Sequence, residues 1–166
     1  MRKSVLLAVL AITALIAIAP AAEAQTQPFS ASFKGNQRLK EPPCATGLLC
    51  GSGSISGFGD ATYSAVPVSL GPVAGSCQPL TALVFIDLSN GQGSLTLLVD
   101  GELCSPGNSQ NAPGALRSFG NPVRIDATFE VTDGTGVFEG AGGSGSGSLR
   151  TAGAQNQLTL SGVLDL

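Results

Sequence analysis

The chain has 166 residues, of which 8 are Lys or Arg and 11 are Asp or Glu, giving a net charge of −3. This balance offers no basic surplus to attract nucleic acid or an anionic membrane. The absence of His excludes Ser-His-Asp and Cys-His catalytic groups and His-based metal sites. Charged residues make up 11% and hydrophobic residues 43% of the chain, so the chain is not expected to be disordered. Abundant Gly, Ser, Thr and Ala together with many Val, Ile, Leu and Phe favour an all-β protein.

The N-terminus has the pattern of a cleavable secretory signal peptide. Arg2 and Lys3 precede an uncharged apolar stretch at residues 5–19, and the small residues that follow end in an A-x-A site at Ala24. A transmembrane anchor is the alternative, but it requires about 20 apolar residues, and this stretch is shorter. Gln25 rather than Cys follows the site, so a lipid-anchored variant of the signal is not supported.

The rest of the chain is therefore predicted to be a single exported domain. Residues 1–24 form the signal peptide, and residues 25–166 remain, with 6 basic and 10 acidic residues and a net charge of −4. One domain is the default for this length. No later segment is long and apolar enough to span a membrane as a helix, so we expect a secreted protein, extracellular or periplasmic, that is not an integral membrane protein after cleavage.

The first part of this domain contains predicted strands at residues 29–34, 54–63 and 65–70. Residues 35–52, which contain Pro42-Pro43, are predicted to form a surface loop.

Four cysteines lie in the predicted mature domain, namely Cys44, Cys50, Cys77 and Cys104. In an exported chain an even number of cysteines indicates disulfides, and four cysteines allow three pairings. A zinc site would require tighter Cys pairs or His partners than this sequence offers.

The clearest hairpin is centred on Asn90-Gly91, a dipeptide typical of two-residue β-turns. If these residues form the loop, apolar residues face each other on one side of the hairpin and mixed residues do so on the other. The facing apolar pairs are Ile86 with Leu95, Val84 with Leu97 and Ala82 with Val99. The same register places Cys77 opposite Cys104, within disulfide reach, which leaves Cys44 to pair with Cys50.

A predicted loop at residues 105–121, rich in Pro and Gly, leads to the last group of strands. These strands are predicted at residues 123–132, 137–141, 145–150 and 157–164. The alternation is cleanest in the first of them, where one face carries Val123, Ile125, Ala127, Phe129 and Val131.

Eight or nine short antiparallel strands indicate either a closed β-barrel or a two-sheet β-sandwich. The tract at residues 134–147 contains seven Gly in fourteen residues. In strands Gly is typical of bulges, tight bends and close backbone approach, as barrel corners require. We therefore favour an eight-stranded antiparallel β-barrel over the β-sandwich.

The stretch from Asp133 to Gly145, DGTGVFEGAGGSG, resembles the G-T-G-x-F-x-G-A-x-G-x-G signature of the allene-oxide-cyclase and dirigent-like barrels. The matching residues are Gly134, Gly136, Phe138, Gly140, Ala141, Gly143 and Gly145. Gly142 stands where Thr is more usual in that group. The resemblance implies an eight-stranded antiparallel barrel with an apolar interior, in a group whose members cyclise or orient a small hydrophobic molecule or have no assigned activity. It carries over no catalytic residue to this chain.

Other motifs give no active site. Residues 140–145 satisfy G-x-G-x-x-G, but a β-like run follows them where dinucleotide binding needs a helix. A calcium-binding nonapeptide repeat at residues 142–146 lacks its Asp and a second copy. The paired carboxylates Asp100 with Glu102 and Asp126 with Glu130 lie opposite the apolar faces of their strands, so a solvated outer surface explains them better than glycosidase-like chemistry. No catalytic, cofactor or metal residue is predicted.

Function is predicted only in outline, as a secreted, disulfide-stabilised barrel that serves as a non-catalytic binding or structural module. As a binding module it would hold a small apolar ligand, provided that core side chains do not fill the interior. An isomerase acting inside the barrel is one alternative, and it requires an inward polar side chain with a partner. An envelope or matrix protein is another, and self-association would favour it. No nucleic-acid partner and no cofactor is expected, and the oligomeric state is not predicted.

Overall fold

The computed structural model describes residues 25–36, 49–105 and 122–166, and every regular element in these ranges is a β-strand. The strands are β1 (Thr26–Asn36), β2 (Leu49–Ile55), β3 (Gly59–Leu70), β4 (Cys77–Leu88), β5 (Gly93–Cys104), β6 (Val123–Gly136), β7 (Gly142–Ala152) and β8 (Gln155–Asp165). Among these residues no helix is long and apolar enough to cross a membrane. The predicted signal peptide, residues 1–24, lies outside the described residues and stays a prediction.

The eight strands form one closed antiparallel barrel in chain order. Each strand pairs with the next one, and β1 closes the ring by pairing with β8 from Thr26 opposite Asp165 to Asn36 opposite Gln155. Closure gives every strand a neighbour on both sides, although residues 66–70 at the end of β3 pair with β4 alone among the described residues. The predicted eight-stranded barrel is confirmed, and the β-sandwich alternative is wrong.

The two ends of the barrel differ in their connections. One end, called here the hairpin end, carries the turns at residues 56–58, 89–92 and 137–141 together with Leu166. The opposite end, called here the disulfide end, carries the connections at residues 71–76 and 153–154 and the Cys77–Cys104 bond.

The hairpin predicted around Asn90-Gly91 is confirmed in its register. Ile86 lies opposite Leu95, and Cys77 lies opposite Cys104, at the two ends of the β4–β5 ladder. The two sulfur atoms are bonded, with the Cα atoms 4.0 Å apart. None of the described cysteines is free, but Cys44 lies outside the described residues, so its pairing with Cys50 stays a prediction.

The strand predicted at residues 54–63 is wrong in its limits. The pattern predicted one strand over residues 54–63, but β2 ends at Ile55 and β3 begins at Gly59. The chain turns between them with Gly57 at a φ of 82°, and the Phe58 amide donates to the carbonyl of Ile55. Positive φ is readily available only to Gly, so this glycine allows a reversal within an apparently continuous pattern.

Residues 137–141, also predicted as a strand, form the turn between β6 and β7 instead. The Phe138 amide donates to the carbonyl of Thr135, and the Ala141 amide donates to that of Phe138. These short-range hydrogen bonds replace ladder pairing, and they direct the Phe138 ring into the barrel, where it is fully buried.

Inward-facing apolar side chains fill the barrel at its hairpin end. Phe138 packs against Phe58 with ring centroids 4.6 Å apart, and Phe29 meets Phe129 edge to face at 5.8 Å. Each buried aromatic or aliphatic side chain of this size contributes roughly 1.5–3 kcal/mol by leaving water. Two aromatic contacts of the core therefore lie toward the hairpin end.

Candidate functional site

The barrel interior contains a cavity of about 60 Å³. Its lining residues come from seven strands, β2 to β8, and are almost all apolar. Most of them, including Leu49, Leu80, Ile125, Leu149 and Leu158, stand near the disulfide end of their strands. The cavity therefore occupies the half of the interior that the aromatic cluster does not fill.

Small inward-facing residues account for this space. Ala65, Ala82, Ala127 and Gly147 all line the cavity, and Ala127 and Gly147 are direct partners across the β6–β7 ladder. A Cβ atom placed on Gly147 would lie 2.7 Å from Cδ2 of Leu160, so Leu160 already uses the room left by this glycine. Because these four residues carry only a methyl group or no side chain, opposing side chains do not meet across the barrel here, and the cavity results.

Part of the cavity lining on β3 is exposed to solvent. Tyr63, Ala65 and Pro67 follow one another on the inward face of this strand and all line the cavity, but their burial falls from full at Tyr63 to exposed at Pro67. The register between β3 and β4 shifts between Pro67 and Ser69. A bulge of this kind re-aims side chains at a barrel rim, and Val68, which follows Pro67, is exposed here.

Apolar side chains fill the hairpin half of the barrel interior and leave the other half partly empty. Val84, Ile86, Leu97, Phe129 and Phe138 are all buried, so the hairpin half leaves no room for a ligand. Val84 and Phe129 also border the cavity. A ligand of the whole barrel interior is therefore excluded by packing, whereas a narrow apolar group fits the space that remains.

A buried polar pair lies beside the cavity, and its member Tyr63 belongs to the lining. The Tyr63 hydroxyl donates to Oδ1 of Asn156 at 2.5 Å, and Nδ2 of Asn156 donates to the carbonyl of Cys50 at 3.1 Å. Both side chains are buried, and burial raises the pKa of the Tyr63 phenol well above its usual value. The phenol therefore stays protonated and acts as a hydrogen-bond donor.

Two glycines let this pair meet across the barrel wall. Tyr63 on β3 lies opposite Gly51 on β2, and Gly35 on β1 lies opposite Asn156 on β8. A Cβ atom on Gly51 would lie 2.4 Å from the carbonyl oxygen of Lys34, so β1 and β2 leave no room for a side chain at this position. The Tyr63 side chain therefore passes over β2 and β1 to reach Asn156 on β8. Sequence reasoning missed the pair, since its members are 93 residues apart.

The carboxylates considered from the sequence lie on the outer surface. Asp100, Glu102, Asp126 and Glu130 are all exposed. Asp100 accepts a hydrogen bond from Thr81, and Asp126 pairs with Arg124, whose Nε lies 2.5 Å from Oδ2. Their contacts are those of a solvated face, as predicted, and none of the four lines the cavity.

Cys77, Glu102 and Cys104 bring their ligand-type atoms within 4.8 Å of one another. The two sulfur atoms are joined in a disulfide, so they are not the thiolates that zinc binds. Cys77 and Cys104 therefore form a disulfide that links β4 to β5, and Glu102 is a carboxylate beside it.

The residues of the Gly-rich signature lie in the β6–β7 hairpin, around the buried Phe138. A Cβ atom on Gly134 would lie 2.0 Å from the carbonyl oxygen of Phe138, and Gly136 has a φ of 62° with the Gln92 backbone equally close. Both positions therefore require glycine. Ala141 packs against the core, and the G-x-G-x-x-G stretch runs into β7. The remaining members of the signature are Gly140, Gly143 and Gly145.

No protein-family model, no curated protein and no solved structure matches this chain.

Proposed function

We propose that this protein is an exported binding module. Its disulfide-stabilised barrel holds a narrow apolar group in the cavity that strands β2 to β8 line. The apolar cavity, whose lining includes the exposed Pro67, carries the proposal. A cavity lined by apolar atoms stays dry and favours an apolar guest over water. Because a cavity of about 150 Å³ accommodates benzene, the smaller space in this barrel suits the end of an alkyl chain better than a ring.

Export is part of the proposal, and the Cys77–Cys104 bond supports it. Disulfides persist in oxidising compartments such as the periplasm and the extracellular space, and are rare in the cytosol. The signal peptide predicted at residues 1–24 would deliver the chain to such a compartment.

Binding is preferred over catalysis because of the polar groups that border the cavity. Tyr63 and Asn156 satisfy each other, and the raised pKa of the phenol makes it a poor general base near neutral pH. An isomerase acting inside the barrel would need a second polar group aimed at its substrate. The lining offers almost only apolar atoms, which suits retention of a ligand rather than its conversion.

We also propose a relationship with the allene-oxide-cyclase and dirigent-like barrels. Support comes from the eight-stranded antiparallel topology and from the place of the Gly-rich signature in the β6–β7 hairpin, where Gly134 and Gly136 are structurally required. The relationship concerns the barrel, and it transfers no activity.

The substitution Ala82→Val tests the cavity. Two added carbon atoms in empty apolar space should raise the free energy of unfolding by about 1 kcal/mol and should abolish binding of a small apolar guest. Binding is measured as the ¹³C-methyl shift of Ala65, which lines the cavity in both proteins, under xenon pressure and with n-alkanols of increasing length. Native mass spectrometry of the exported protein then shows whether a bound apolar compound accompanies the chain that begins at Gln25.

Ala61→Val is the matched control. Ala61 is buried but does not line the cavity, so the same substitution overpacks the core and should cost roughly 1–3 kcal/mol while leaving guest binding intact. Absence of any methyl shift with xenon and with every alkanol would contradict the proposed function.

A further inference from the structure

The turn between β4 and β5 contains the one Asn-Gly pair of the sequence, Asn90-Gly91. Both residues are exposed, and Gly91 has a φ of 72°. This backbone conformation favours Gly, and a Cβ atom built there would have no neighbour within 4 Å. The residue that allows the turn therefore has no side chain to hinder the approach of its backbone nitrogen to the Asn90 amide.

We propose that Asn90 is a site of self-modification, at which the Gly91 backbone releases the side-chain amide as ammonia. The Gly91 nitrogen loses its proton and attacks Cγ of Asn90. A bond forms between these two atoms, the bond from Cγ to Nδ2 breaks, and Nδ2 takes up the proton and leaves as ammonia. Water then opens the resulting five-membered imide at either carbonyl, which gives aspartate or isoaspartate. Water is the one co-reactant.

Three hydrogen bonds engage the reacting groups while the turn is folded. The Gly91 amide donates to the carbonyl of Leu88 at 2.9 Å. The Asn90 side chain accepts from the Gln92 amide and donates through Nδ2 to Oε1 of Gln92, both at 3.0 Å. Because the Gly91 nitrogen must lose the proton that it donates to Leu88, and Nδ2 must leave Gln92, the reaction requires the turn to open.

Opening of this turn does not require the barrel to unfold. Residues 89–92 are all exposed, and exposed loop tips open at the lowest free energy in a folded protein. The Ser89 amide donates to the carbonyl of Asp60 on β3 at 2.8 Å, so the start of the turn stays attached to the barrel wall. Asn156 provides an internal comparison, since it is buried and bonded to Tyr63.

Isoaspartate changes the hairpin more than aspartate does, because its main chain runs through Cβ and Cγ and gains one carbon atom. The turn determines the register of β4 and β5, while the Cys77–Cys104 bond joins the same strands at their other end. The modified hairpin should therefore loosen at the turn and stay closed at the disulfide. This inference does not depend on the cavity or on export, and either proposal can fail without the other.

Peptide mapping after incubation of the folded protein in H₂¹⁸O tests the proposal, since opening of the imide ring inserts one ¹⁸O atom at the modified residue. The label should appear at Asn90, whereas Asn156 should stay unlabelled. The same chain unfolded in guanidinium chloride, at the same pH and temperature, gives the reference rate. Modification of the folded protein should be at least about tenfold slower, the factor expected when two or more hydrogen bonds must open first.

Hydrogen exchange measures the same opening independently. Exchange of the Gly91 amide and its attack on Asn90 both require this N–H group to leave the Leu88 carbonyl. The slowing of the modification on folding should therefore match the exchange protection factor of the Gly91 amide to within about threefold. A larger mismatch, equal rates in the folded and unfolded chains, or labelling of Asn156 as fast as Asn90 in the folded protein would each overturn the proposal.

Two variants of the turn test the mechanism. Gln92→Ala removes the acceptor for Nδ2 of Asn90 and keeps the backbone amides. It should raise the modification rate and lower the Gly91 protection factor together by about threefold, the effect of one exposed hydrogen bond. Asn90→Ser is the matched control, since a Ser hydroxyl can still accept from the Gln92 amide but has no carbonyl carbon to attack. Label at position 90 in this variant would show that the ¹⁸O enters by another reaction.

Asn90→Asp separates the added charge from the added backbone atom. Leu95 near the turn should lose exchange protection in the isoaspartyl protein and keep it in this variant. Leu103 beside the disulfide should keep its protection in both. Full protection of Leu95 in the isoaspartyl protein would overturn the predicted effect on the hairpin.

Discussion

At the scale of single residues, Tyr63 combines a fully buried ring with a hydroxyl that needs a hydrogen-bond partner. It is fully buried, it borders the cavity, and its hydroxyl has one hydrogen-bond partner, Asn156. The ring also packs beside Phe33 with centroids 5.2 Å apart. The ring therefore belongs to the core, while the hydroxyl donates to Oδ1 of Asn156. Without this donor the Asn156 oxygen would be buried with no hydrogen-bond partner.

Tyr63→Phe should destabilise the protein through this amide. The substitution keeps the ring and removes the donor to Oδ1 of Asn156, and a buried acceptor without a partner costs about 1–3 kcal/mol. The free energy of unfolding from denaturant titration measures the loss.

Thr81→Val provides a surface comparison. The Thr81 hydroxyl donates to Asp100 on the exposed wall, where water replaces the lost hydrogen bond, so a change within about 0.5 kcal/mol is expected. Equal losses in the two variants would show that the Tyr63 hydroxyl contributes no more than a surface contact.

At the scale of elements, the β4–β5 hairpin combines two constraints on one register. The Asn90 side chain accepts from the Gln92 amide at the turn, and the disulfide joins the opposite ends of the same strands. The turn determines which residues face each other, and that register in turn brings Cys77 and Cys104 together. The disulfide therefore stabilises a pairing that the turn has already specified.

Cys77→Ser with Cys104→Ser should remove roughly 3–4 kcal/mol from the free energy of unfolding, the chain-entropy value for a loop of this length. Loss of amide-exchange protection should be concentrated at Gln78 and Leu103, next to the missing bond, and should be small at Asp87 near the turn. A uniform loss of protection along both strands would contradict the view that the turn holds the register without the disulfide.

At the scale of the whole molecule, the predictable features are those that local sequence determines. Strand alternation and the Asn90-Gly91 turn predict the hairpin register and with it the Cys77–Cys104 bond, while strand number and Gly content predict a barrel. The turn at Gly57 was missed, since its flanking residues continue the strand pattern and only backbone φ reveals it.

The cavity and the buried polar pair could not be predicted in the same way. They depend on which inward residues become neighbours across several strands, such as Ala127 beside Gly147 and Tyr63 beside Asn156. That information lies in the closure of β1 on β8, which joins residues 139 positions apart, and no local pattern contains it.

The dependence of stability on pH is a property of the whole chain, and few groups contribute to it because the chain has no His and one Tyr. Without His, no side chain has an ordinary pKa between 5 and 8, so the free energy of unfolding should change little over that range. Burial raises the pKa of Tyr63 in the folded state. The unfolded chain therefore releases the phenolic proton first, near pH 10, and stability should fall as the pH rises above that value. Tyr63→Phe should remove this part of the alkaline loss. As the chain has one Tyr, phenolate absorbance should appear together with unfolding in an alkaline titration; its appearance in the folded protein near pH 10 would contradict the prediction.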